Sequence, residues 1–160
     1  MSGKNKEKSN EGKYDVYGST GVIAKSNQFT YEKTQILVAR VGANAGFTHL
    51  GVGKYDVSDN TLILDVIDDV NLYYIYYVLE MINLNRFSRG GGQPLITAGQ
   101  LKDVVIMLPS LCEQNRIVNT LQNFKMMCGD LAAGLPAEIE ARKKQYEYYR
   151  DKLLAFEMKK

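Results

Sequence analysis

Tryptophan is absent from this chain of 160 residues, histidine occurs once, cysteine twice and proline three times. Each shortage excludes a class of chemistry. With His49 alone, and with Cys112 and Cys128 in no CxxC spacing, neither a zinc site nor a disulfide framework has ligands to build on. A reducing cytoplasm is the simplest setting for so few thiols. No run of about 18 apolar residues is present, so no membrane span is expected, and residues 1–10 lack the apolar stretch of a secretion signal. The glycine-bearing segments are not nucleotide loops. Arg89-Gly-Gly-Gly-Gln-Pro94 is not followed by Gly-Lys-Ser/Thr, and Val41–Gly46 lacks the strand–GxGxxG–helix context of a dinucleotide fold. A lone histidine is more often packing or surface than catalysis, and Asp68-Asp69 reads as a solvated loop. With no nucleophile-and-base pair and no metal cluster, the chain is expected not to be an enzyme.

What is present is ordinary in amount and uneven in distribution. Apolar residues make up 45% and charged residues 24%, as in a soluble domain with an appendage. Residues 1–13 carry four lysines against two glutamates, residues 14–109 seven basic against nine acidic groups, and residues 110–160 nine against seven. The central part is slightly acidic, without the basic excess of a strong free-standing nucleic-acid binder. Residues 1–13 are polar and expected to be disordered. Short runs rich in Val, Ile, Tyr and Thr predict strands at Tyr14–Tyr17, Val22–Ala24, Gln35–Val41, Gly46–Leu50 and Thr61–Val66, with glycines at the turns between them. Asn71 is a predicted N-cap for a helix to about Leu84. Arg86–Pro94 reads as a glycine-rich loop, and Val104–Leu108 as a final buried strand ended by Pro109.

The last third has the strongest pattern. From Ile117, apolar residues recur at Leu121, Phe124, Cys128 and Leu131, a rhythm that draws one stripe along a helix. A similar stripe restarts after Gly134 and Pro136 with Ile139, Tyr146, Tyr149, Leu153 and Phe156. Helices are predicted at about Leu111–Leu131 and Pro136–Phe156, either as two or as one with a kink. An apolar stripe must be buried against something. For the first helix the candidates are the chain's own globule or a second chain; for the second helix a partner chain is the simpler expectation.

Several segments, taken in order, resemble the specificity (S) subunits of type I DNA restriction–modification systems. Tyr14-Asp-Val-Tyr-Gly-Ser-Thr-Gly-Val-Ile-Ala24 resembles the opening of a target recognition domain. Ile36-Leu-Val-Ala-Arg-Val-Gly-Ala-Asn-Ala-Gly46 and Val57-Ser-Asp-Asn-Thr-Leu-Ile-Leu64 resemble its middle. Gly91-Gly-Gln-Pro-Leu-Ile-Thr-Ala-Gly-Gln-Leu-Lys102 resembles its late portion. Leu108-Pro-Ser-Leu-Cys-Glu-Gln-Asn-Arg-Ile-Val118 and Leu135–Leu154 resemble the entry to the conserved helical region and its helix.

The resemblance implies an α+β fold: a small β-rich target recognition domain at 14–109, N-terminally short, followed by a helical, coiled-coil arm at 110–160. It implies a non-catalytic reader of double-stranded DNA that guides DNA adenine methyltransferase subunits, which bind S-adenosylmethionine, with a motor–nuclease subunit as a further partner. No cofactor is expected on this chain itself. The chain looks like half of such a subunit, with one recognition domain and one helical region, and without the usual initial strand and helix.

An antiparallel homodimer would restore two readers, with Ile117, Leu121, Phe124, Leu131, Ile139, Tyr146, Tyr149 and Leu153 as its seam. Candidate DNA contacts are Arg40 at a strand end, Arg86 and Arg89 around Phe87, Lys25 and Lys54 in turns, Asn44 and Gln93 for adenine edges, and Ser19 and Thr20 in the opening loop. The competing expectation is a protein-interaction module that binds the methyltransferase or another specificity subunit without reading DNA.

Overall fold

The computed structural model describes residues 11–88, 93–130 and 136–155, with the backbone alone at 129, 130 and 136–139. The chain divides into two compact units, Met1–Asp68 with Ile82–Val105, and Asp69–Met81 with Ile106–Lys160. The architecture is α+β, as expected.

The first unit is built from two sheets. Strands β1 (Tyr14–Gly18), β2 (Gly21–Ser26), β3 (Tyr31–Glu32) and β6 (Lys54–Val57) form a four-stranded sheet in the order β2-β1-β6-β3. Strands β4 (Gln35–Ala39), β5 (Thr48–Gly51) and β7 (Thr61–Leu64) form a three-stranded sheet in the order β5-β4-β7. All pairings are antiparallel except β1 with β6. β4 is a continuous apolar run after its first residue, and Ile36, Leu37 and Val38 are fully buried, as a strand covered on both faces requires. Leu37, Tyr55 and Val57 make a buried cluster on which Tyr17, Tyr31 and Ile63 pack, so the two sheets share one core.

β3 and β6 were not anticipated. Lys54 and Asp56 give β6 the look of a charged turn, yet they alternate with buried Tyr55 and Val57 in a strand pleat. Asp56 is itself buried, its carboxylate accepting from the Val57 N–H at 2.9 Å. The late segment carries a 3₁₀ turn at Leu84–Phe87 and a short helix α2 at Ala98–Lys102. Gly12, within the stretch expected to be disordered, lies so close to the Lys25–Ser26 backbone that no side chain would fit. Residues 1–10 of that stretch lie outside the described residues.

A polar chain joins the sheets. The Tyr55 hydroxyl donates to Gln35 Oε1 at 2.8 Å, Gln35 Nε2 donates to Asp65 Oδ1 at 2.7 Å, and Lys33 Nζ donates to the same oxygen at 2.6 Å. Burial pushes the Tyr55 hydroxyl far above its ordinary titration range, so it remains a donor at any working pH.

The second unit is helical: α1 (Leu72–Ile82), α3 (Leu111–Asp130) and α4 (Pro136–Leu154). Asn71 caps α1 as expected, its Oδ1 accepting from the N–H groups of Tyr73 and Tyr74 at 2.9 and 3.2 Å. The same residue is held by the start of α3: its N–H donates to Gln114 Oε1 at 2.8 Å and its Nδ2 to Asn115 Oδ1 at 2.7 Å. Gln114 is buried and its amide donates to the Pro109 carbonyl at 2.8 Å. These bonds explain why α1, expected within the 14–109 domain, groups with the arm instead. The segment Val104–Leu108 is not a strand. It takes part in no strand pairing among the described residues, Val105 is 90% exposed, and the carbonyl of Met107 is taken by the Tyr74 hydroxyl at 2.9 Å. It carries the chain from one unit to the other.

Two substitutions test the polar chain. Tyr55→Phe removes a buried donor and leaves Gln35 Oε1 unpaired, which is expected to lower stability by about 1–3 kcal/mol in denaturant unfolding. An unchanged unfolding midpoint would mean that the bond contributes nothing net. The Asp65 carboxyl is held below its ordinary value by the hydrogen bonds from Lys33 and then Gln35. Its contribution is therefore present above about pH 3.9 and is lost as pH falls through the lowered folded value. Asp65→Asn is expected to flatten the acid side of the melting-temperature profile, by a small amount because Asp65 is exposed.

Candidate nucleic-acid interface

The nine residues singled out for DNA contact fall into groups with different electrostatics. Lys25 and Lys54 lie on strands β2 and β6 rather than in turns. Lys25 stands opposite Asp15 in the β1–β2 register and pairs with it at 3.2 Å. Lys54 pairs with Glu32 at 3.1 Å, with its Nζ 4.8 Å from the Phe29 ring centroid. Such exposed pairs contribute little stability, but each places a carboxylate beside the ammonium and reduces the field it offers to a polyanion. Ser19 and Thr20 form the β1–β2 turn, closed by Gly21 at φ +95°, with Ser19 half-buried and Thr20 exposed.

Arg40, Asn44, Arg86 and Gln93 are brought together by three stitched segments. Arg40 follows β4, where its N–H donates to the Asn60 carbonyl and its own carbonyl accepts from the Ile96 N–H, both at 2.8 Å. The Gly42 N–H donates to the Pro94 carbonyl at 2.9 Å, and Val41 bridges Leu95. The loop 41–47, which exposes Asn44, is held in turn by the 3₁₀ turn. Asn85 Nδ2 donates to the Ala45 carbonyl at 2.7 Å and reaches the Ala43 carbonyl at 3.5 Å. Gly46, at φ +91°, presses on the Leu84–Asn85 backbone where any side chain would collide.

In contrast to the lysines, neither Arg40 nor Arg86 has a carboxylate partner among the described residues. Arg40 Nε is buried without a hydrogen-bond partner. Arg86 is exposed, with its guanidinium 4.7 Å from the Phe87 ring centroid. It opens onto a hollow of about 320 Å³ lined with Phe87, Ser88, Gln100 and Asp103. Gln93 is exposed, and Arg89 lies outside the described residues. The arrangement places two guanidinium groups that form no ion pair among the described residues, with Asp103 lining the hollow onto which one of them opens, and two primary amides on one framework. Those groups suit phosphate oxygens and the acceptor and donor edges of purines.

Three residues escaped the sequence reading. Phe47, 59% exposed, sits in the same loop as Asn44, its ring 5.1 Å from that of His49. Gln100 closes a capping box with Thr97, a signal that the Thr-x-x-Gln spacing does carry. Asn85 had no signal, because its role depends on a loop some 40 positions earlier.

The expected dimer seam needs correction. Ile117 and Leu121 have no exposed surface, being buried within this chain, and so offer nothing to a second copy. Phe124 stacks on Tyr149 at 5.4 Å and 10°, closing α3 on α4 as an internal hairpin. Tyr146 is half-buried near Tyr77 and Glu80 of α1, and burial first, then these neighbours, pushes its hydroxyl up to about 12. Leu153 is half-buried, Leu131 lies outside the described residues, and Ile139 is described in backbone only. The exposed apolar groups of α3 and α4 among the described residues are Leu111, Met126, Met127, Tyr148 and, at the margin, Tyr149, so of the expected seam Tyr149 alone keeps an exposed side chain there.

Residues 2–141 match the family described as type I restriction modification DNA specificity domain. The chain is 45% identical over 93 residues to the EcoR124I/EcoR124II specificity subunit of Escherichia coli, a match covering 56% of this chain and 23% of that protein. It is 29% identical over 149 residues, 89% of this chain, to a Mycoplasma pneumoniae protein whose name assigns it as a type I specificity subunit. The chain spans 48% of that relative's length and 38% of a Haemophilus influenzae relative's. Among solved structures, the S subunit of a type I restriction–modification system from M. genitalium superposes with a TM-score of 0.71 at 23% identity, covering 83% of this chain and 38% of that one. The HsdS subunit from Thermoanaerobacter tengcongensis does so with a TM-score of 0.62 at 17% identity, covering 96% and 41%.

Proposed function

Because the chain belongs to the type I restriction modification DNA specificity domain family, we propose that it is a non-catalytic reader of double-stranded DNA. In this reading it recognises one half of an interrupted site and directs DNA adenine methyltransferase subunits to it. The observation that carries the proposal is the family match, which spans the β-rich unit and α3 and reaches into α4. S-adenosylmethionine belongs to the methyltransferase, a motor–nuclease subunit is a further partner, and the cytoplasm is the setting. Among the described residues no helix is long and apolar enough to cross a membrane.

The division of labour follows the two units. Reading is assigned to the β-rich unit, through Arg40 and Arg86 on phosphates or guanine edges, Asn44 and Gln93 on adenine edges, and Ser19 and Thr20 on either. Arg89, from the same loop as Arg86, is assigned to the same face. Lys25 and Lys54, already paired with carboxylates, are assigned supporting backbone contacts. Docking and pairing belong to the helical unit. Two copies related by a twofold axis would present two readers to an interrupted palindrome, and Met126, Met127 and Tyr148 are the most exposed apolar groups of α3 and α4 among the described residues.

Mapping N6-methyladenine across the genome of cells that make this chain with the methyltransferase subunit of its system tests the reading. An interrupted motif methylated on both strands is expected. A stable complex with the methyltransferase that yields no motif would replace DNA reading by the interaction-module alternative. For pairing, Met126→Glu with Tyr148→Glu is expected to halve the solution mass while leaving the melting temperature close to the parent's, because both side chains are already in water. An unchanged mass would place the pairing surface elsewhere.

A further inference from the structure

The 3₁₀ turn carrying Arg86 is held to the Asn44 loop and to the segment after Gln93 by two side-chain amides. Gln100 is used at both ends. Its Oε1 accepts from the Thr97 N–H at 2.8 Å and from the Thr97 hydroxyl at 2.9 Å, completing the cap of α2. Its Nε2 donates to the Phe87 carbonyl at 2.6 Å, thirteen residues back along the chain. Capping needs only the oxygen; the bond to Phe87 does nothing for α2 and ties the 3₁₀ turn that carries Arg86 to the segment that follows Gln93. Asn85, in that same turn, reaches the opposite way to the carbonyls of Ala43 and Ala45, on either side of Asn44. The turn is thereby fixed to the Asn44 loop by Asn85 and to α2 by Gln100. In neither case does a covalent or β-ladder constraint do this work.

We infer that Asn85 and Gln100 are positioning residues for sequence recognition: they set the spacing between the Arg86 and Asn44 contact points, and so the selectivity of the reader, while touching no base themselves. The inference rests on the DNA-reading assignment above. Base readout is a matter of geometry, because a bidentate contact discriminates only while its donor and acceptor stay aligned with a groove edge. A framework that lets the turn drift keeps its charge and loses its alignment. Phosphate contacts tolerate that drift, so overall attraction to DNA persists while preference among bases falls.

Gln100→Glu separates the two uses of the side chain. A carboxylate still accepts from Thr97 and keeps the capping box, but it cannot donate to Phe87 and sets an oxygen against that carbonyl. Asn85→Asp makes the same reversal against Ala43 and Ala45, and Gln100→Met removes the clamp together with the side-chain half of the capping box, leaving the Thr97 hydroxyl on the residue-100 N–H. Each full-length variant is produced with the methyltransferase subunit of the system, and the methylated motif is read position by position beside the melting temperature of the purified chain. For Gln100→Glu a melting temperature within about 4 °C of the parent's is expected. Discrimination should fall about fivefold or more at one or more motif positions, the lower bound of what a bidentate base contact supplies. Asn85→Asp is expected to relax preference in the same half-site, and Gln100→Met to add a loss of stability.

A motif as sharp as the parent's in both Gln100→Glu and Asn85→Asp overturns the inference. So does lower stability with lower methylation yield at an unchanged motif, which is what a purely structural role predicts. The parent chain separates this failure from that of the underlying reading: no motif with the parent removes both, whereas a sharp parent motif beside sharp variant motifs removes the positioning role alone.

Discussion

The hydrogen bond from Tyr55 to Gln35 is the constraint on which the β-rich unit depends. Gln35 opens the central strand of the three-stranded sheet, and Tyr55 lies in an inner strand of the four-stranded one. An amide and a phenol buried at 2% and 0% exposure would each destabilise the core if unpaired. Paired, they restrict the relative placement of the two sheets, because sliding either strand by a residue would turn its own member of the pair to the wrong face. The Tyr55 ring then orders its neighbours, edge-on to Tyr17 at 5.5 Å and stacked on Tyr31 at 5.6 Å. From β4 the chain leads directly into Arg40 and the loop that exposes Asn44. The position of the proposed reading face thus depends on a contact that lies outside it.

The helical unit solves a similar problem with Gln114. This buried amide serves the Asn71 N–H and the Pro109 carbonyl together, so that the N-termini of α1 and α3 are fixed to one another by a single side chain. Such a bond is specific where apolar packing alone is permissive, since Ile117, Val118 and Leu121 would pack acceptably in several registers. It also explains why a helix lying between β7 and the 3₁₀ turn in sequence belongs to the arm in space.

Much of this was legible in the residues. The glycine-punctuated strands β1, β2, β4, β5 and β7, the Asn71 cap and the two arm helices follow from local pattern, because each is specified by its own composition. What local pattern could not supply was pairing. β6 looked like a turn because Lys54 and Asp56 are charged, and its strand pairings are with β1 and β3, segments more than 20 positions earlier that local pattern cannot align with it. Val104–Leu108 has a strand's composition and no strand to pair with. The stripe at Ile117 and Leu121 announced burial, but periodicity does not say against what, and the chain itself covers both side chains. The residues proposed to touch DNA could be named by type; that Lys25 and Lys54 are ion-paired while Arg40 and Arg86 form no ion pair among the described residues could not.

The ion pairs at Lys25 and Lys54 have a kinetic side. Every phosphate neutralised by a free cation adds to sequence-independent affinity, and that affinity is what holds a protein on the wrong DNA. A recognition unit whose sheet lysines are each accompanied by a carboxylate, and whose residues 14–109 carry two more acidic than basic groups, has little grip on arbitrary sequence. For a reader of the proposed kind, fast departure from the wrong sequence is worth more than tight holding, and the Asp15 and Glu32 carboxylates beside these lysines act in that direction.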